Sequence, residues 1–73
     1  MIEVFITNVD DPGHATMLVE RIHQQFGHYR ANFDLQDCDR ILRVVSYREH
    51  VDSATLISLL NDHGFHAEVL PDR

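Results

Sequence analysis

The sequence has one cysteine, no tryptophan, three glycines, two prolines and only six basic side chains in 73 residues. Each shortage excludes something. A lone Cys38 cannot close an intramolecular disulfide, so the fold is not stapled and nothing indicates an oxidising compartment. Six basic against twelve acidic residues give a net charge of −6 and a pI near 5.3. That balance excludes a partner held through a phosphate backbone, whose affinity comes from cationic side chains, so no nucleic acid is expected. No apolar run approaches the ~18 residues that a membrane span needs. Met1-Ile2-Glu3-Val4-Phe5 lacks a basic segment ahead of an apolar one. From these features no membrane partner is expected, and the chain is expected in the cytoplasm.

What is present is enough to fold. Hydrophobic residues make up 44% and charged residues 25%, the proportions of a globular domain rather than a disordered tail. A chain this short builds one core and buries only about 60% of its unfolded surface. Stability must come from packing or from a partner. Six histidines are the main compositional hint of chemistry.

The pattern along the chain predicts six elements. Ile2 to Asn8 alternates with period two and reads as a strand. Asp10-Asp11-Pro12-Gly13 offers an acidic helix cap followed by proline, whose missing N–H costs nothing in a first turn. Ala15, Leu18, Ile22 and Phe26 then recur at helical spacing, with Val19 widening the stripe, to about Gln25, and Gly27 ends the helix. Tyr29 to Leu35 and Ile41 to Tyr47 read as a hairpin around Gln36-Asp37-Cys38-Asp39. Asp52 or Ser53 caps a second helix carrying Leu56, Ile57, Leu59 and Leu60, closed by His63-Gly64. Phe65 to Leu70 is a last strand, stopped by Pro71. The order β, α, β, β, α, β predicts a single α+β domain of ferredoxin-like type, a four-stranded antiparallel sheet with two helices on one face. Its topology gathers Asp10 to His14, Asp37 to Asp39, and His63 to His66 at one end.

Several residues then resemble the heavy-metal-associated domain of copper chaperones and metal-pumping ATPases. Asn8-Val9-Asp10 stands where that family has Gly-Met-x, Leu18 and Ile22 take its helical apolar positions, and Gly64-Phe65 matches its glycine-aromatic pair before the last strand. The resemblance runs from Ile2 to about Leu70. It implies the same fold and a metal loop after the first strand. The paired cysteines of that loop are replaced by Asp11 and His14. Carboxylate and imidazole suit Zn(II), Cu(II), Ni(II) or Co(II) better than the Cu(I) held by two thiolates. Residues 33–44 also resemble small proteins of this fold that lack the motif and for which no activity follows.

Two functional readings remain open. One is a binding or interaction module, independent of metal, that uses the open sheet face or an edge strand as its partner surface. If Val4 and Ile6 face the core, Phe5 lies on that open face together with Val45 and Leu70, an apolar surface for a protein partner or for self-association. The other is a divalent transition-metal site built from Asp11 and His14 with Cys38, His63 or His66. Each of its residues also has a plain structural explanation. Asp11 is an ordinary helix cap, and His63 sits favourably in a last helical turn. An enzyme is not expected. Asp37 and Asp39 beside Cys38 disfavour its thiolate, and no residue is evident to orient a Cys–His pair. The acidic loop after strand one repels phosphate, unlike the basic loop of acylphosphatases, and the sheet lacks the basic-aromatic surface of RNA-recognition modules.

Overall fold

The computed structural model describes residues 1–48 and 50–70. Its elements are β1 (Ile2–Thr7), α1 (Pro12–Gln25), β2 (Tyr29–Asp34), β3 (Ile41–Ser46), α2 (Ser53–Asp62) and β4 (Ala67–Val69). The strands form one antiparallel sheet in the order β2-β3-β1-β4, the α+β arrangement expected from the element order.

Both helices begin at aspartate caps. The Asp11 carboxylate accepts the Gly13 N–H at 2.7 Å, and Pro12 fills the first helical position. Asp52, rather than Ser53, caps α2; its two oxygens accept from the backbone N–H and hydroxyl of Thr55 at 3.2 and 2.8 Å. Gly64, at φ +87°, turns the chain out of α2, a conformation that costs glycine little.

One core lies between the sheet and the helices. α1 buries Ala15, Leu18 and Ile22, and α2 buries Leu56, Leu59 and Leu60. From the sheet come Phe5, Tyr29, Leu42, Val44 and Ala67, with Phe33 and Phe65 packed at the margin. At the end of the sheet near the α1 C-terminus, Phe26 stacks on Tyr29 at 4.7 Å between centroids. The Tyr29 hydroxyl donates to His50 O and accepts the Asp52 N–H, tying β2 to the start of α2.

The phase of β1 is the reverse of the expectation. Phe5 is fully buried under the helices, whereas Ile2 is 62% exposed and Val4 and Ile6 are half-buried on the open face. The cause is pairing. Phe5 sits opposite Leu42, and Glu3 opposite Val44, on the helix side; Val4 sits opposite Arg43, whose charge belongs in water. Four apolar residues among the first six of the strand region left the alternation equivocal, and the largest of them fills the core.

Candidate functional site

The gathering of three turns at one pole is recorded in hydrogen bonds. Thr7 N donates to Asp39 O at 3.2 Å, and the Thr7 hydroxyl donates to Arg40 O at 2.6 Å, joining the end of β1 to the β2–β3 turn. Asn8 exchanges two bonds with His66: Asn8 N donates to His66 O at 3.3 Å, and His66 N donates to the Asn8 side chain at 2.8 Å. The loop before β4 is thereby fixed to the loop after β1.

Proximity of loops does not bring all five candidate ligands together. Asp11 has one carboxylate oxygen engaged in its helix cap. The His14 ring rests on Phe65, with centroids 5.3 Å apart. Nδ1 of His63 lies 2.9 Å from Leu59 O, in the last turn of α2. His66 is exposed just ahead of β4, anchored by its backbone. Among the described residues, the one group of three metal-ligating side chains is Asp37, Cys38 and Asp39, with ligand atoms within 4.8 Å of one another. Of the five, only Cys38 belongs to it.

The turn explains this triplet without a ligand. Asp37 Oδ1 accepts the Asp39 N–H at 2.9 Å, and Asp37 O accepts the Arg40 N–H at 3.0 Å. Arg40 takes a left-handed conformation at φ 47° and donates to Cys38 O. All three side chains of the triplet are exposed and converge on one side of the turn. In the sequence the two aspartates stand out as charges beside the thiol; the D-C-D run in a tight turn is the signal that marks them as ligands as well.

The open sheet face is the second feature. The pairing register places Ile2 beside Val45, Val4 beside Arg43, and Ile6 beside Ile41 and Glu68. Leu70 N donates to Val4 O, which carries Leu70 alongside Val4. Val45 and Leu70 therefore lie where expected, and Phe5 is replaced by Ile2, Val4 and Ile6. The aliphatic band covers β3, β1 and the β4 edge, while β2 shows Arg30, Asn32 and Asp34 on the same face. Ile41, at 8% exposure, is screened by these neighbours rather than by the main core.

A concavity of about 480 Å³ between α1 and α2 is lined by Arg21, Gln24, Gln25, Ser58 and Asp62 together with Leu59. No helix among the described residues is long and apolar enough to cross a membrane. No protein-family model matches the sequence and no curated protein matches it, so its function has to be argued from these residues.

Proposed function

We propose that the chain is a small interaction module, similar to the heavy-metal-associated domain but without its thiolate pair, that binds a protein partner in the cytoplasm through the open sheet face. The observation that carries this reading is the aliphatic band of Ile2, Val4, Ile6, Val45 and Leu70 on a face that no helix covers. The aliphatic band runs beside Arg43 on β3 and ends at Arg30, Asp34 and Glu68, so it offers a partner apolar contact with a positive charge alongside it. Catalysis and Cu(I) transfer are not part of the proposal, because Asp11 and His14 stand in the thiolate positions and Asp11 serves as a cap.

A photocrosslinking side chain placed at Val4 should capture a defined partner in cells, while the same group at Gln24 on α1 should not. Ile6→Glu in the chain carrying the crosslinker at Val4 should weaken that capture about tenfold or more, the scale expected for a charge buried at an interface. Equal crosslinking from both positions would end this reading.

A metal-binding reading keeps one specific support, the convergence of Asp37, Cys38 and Asp39. Thiolate plus two carboxylates fits a borderline ion such as Zn(II) or Co(II). Titration with Co(II) should then produce a thiolate-to-metal charge-transfer band that Cys38→Ser removes. A flat spectrum at stoichiometric metal would dismiss it.

A further inference from the structure

The outer edge of β2 is a half-built ladder. β2 is the last strand on its side of the sheet. The N–H of Ala31 points away from β3, since it donates to Nε2 of His23 on α1 at 3.1 Å, and the N–H of Tyr29, two residues earlier, donates to Phe26 O. Strand periodicity then directs the Ala31 carbonyl and both backbone groups of Phe33 outward at the same edge. Beside it runs a trough of about 350 Å³ between α1 and β2, lined by Pro12, Ala15, Val19, Ala31, Phe33 and Leu35.

We propose that β2 pairs antiparallel with β2 of a second copy of this chain, centred on Asn32, joining two sheets into one. The sequence of β2 is complementary to itself about that residue. Ala31 falls opposite the partner's Phe33, so the outward donors and acceptors of both strands meet as hydrogen-bonded pairs. Arg30 falls opposite the partner's Asp34, and Asp34 opposite the partner's Arg30, on the open face. Asp34 keeps an oxygen for this, since its Oδ1 accepts from Gln36 N and Oδ2 remains. Centring instead on Ala31 or Phe33 sets Arg30 opposite Asn32 or Gln36 and loses both charge pairs.

The two-fold axis also brings the two α1 helices alongside each other on one face, closing the apolar trough from both sides. In the single chain His23 occupies the Ala31 N–H, guarding an exposed edge against indiscriminate pairing. On association that N–H passes to the partner's Phe33 carbonyl and the ring is released. This surface is separate from the aliphatic band, so the dimer leaves the open face available.

Sedimentation equilibrium across a concentration series, with amide hydrogen exchange of the same samples, tests the proposal. We expect a monomer–dimer equilibrium in which Phe33 exchange slows as dimer accumulates. Arg30→Asp and Asp34→Arg should each raise the dissociation constant about tenfold, since two cross-strand attractions become repulsions, and the double exchange should return it toward the original value. His23→Ala should tighten the dimer severalfold, whereas Val4→Glu should leave it unchanged. A monomer at every concentration, a double exchange that fails to restore pairing, or a dimer broken by Val4→Glu with Phe33 unprotected would overturn the edge pairing. The last outcome would assign self-association to the open face instead.

Discussion

Phe5→Ala is expected to lower the free energy of unfolding by about 3–5 kcal/mol, the cost of removing a buried aromatic ring and leaving a cavity. The ring is fully buried in the cluster that includes Leu18, Leu42, Leu56 and Leu60, elements from both helices and the sheet. Small domains have a total stability at the low end of about 5–15 kcal/mol. The variant should therefore be mostly unfolded at modest urea, read from the far-ultraviolet circular dichroism transition. Val4→Ala, on the neighbouring strand position, should cost only about 1 kcal/mol, because a half-buried face loses little on truncation. If the two costs were reversed, the phase of β1 would be wrong and the open face would carry Phe5 after all.

That contrast also marks where the sequence was legible. The α1 limits followed from residues that act locally: Asp11 and Pro12 at its start and Gly27 after its end, matching Pro12–Gln25. Around α2 the same chemistry offers Asp52 or Ser53 at the start, of which Asp52 is the cap, and Gly64 at the end; the alternation of Tyr29, Ala31 and Phe33 with polar residues marks β2 as a strand. Local chemistry was sufficient in each case. β1 was different, since Ile2, Val4, Phe5 and Ile6 are all apolar and only the register against β3 chooses between two faces. Register is a long-range property. Arg43 carried a hint, as a charged residue in mid-strand marks the outward set of β3, but using it requires knowing that Val4 lies opposite.

The candidate site divides in the same way. Topology alone placed the three turns at one pole, and the bonds from Thr7 and Asn8 agree with it. Which side chains meet within that pole depends on a few ångströms of loop geometry. Asp11 turns to its own helix and His14 to Phe65, while the Asx turn at Asp37 brings Asp39 beside Cys38. A spacing pattern fixes which loops are neighbours. It does not fix where a carboxylate finds its nearest N–H.

Thr7 holds that pole together, and Thr7→Val is expected to cost about 2–4 kcal/mol despite its near-identical shape. The side chain is 6% exposed; its hydroxyl donates to Arg40 O at 2.6 Å and accepts the buried Val9 N–H at 3.2 Å. Valine satisfies neither, and each buried group left without a partner costs about 1–3 kcal/mol. Thr7→Ser retains the hydroxyl and loses one methyl, about 1 kcal/mol. The pair of variants thus separates hydrogen bonding from packing at one position. Amide exchange should quicken at Val9 in the valine variant, and the turn carrying Asp37, Cys38 and Asp39, held in part by the Arg40 carbonyl at its left-handed residue, should loosen. Any Co(II) affinity of the triplet should fall with it, because preorganised ligands lose affinity when their loop is released. Equal destabilisation by valine and serine would show that the methyl group, and not the bridge between β1 and the β2–β3 turn, is what Thr7 contributes.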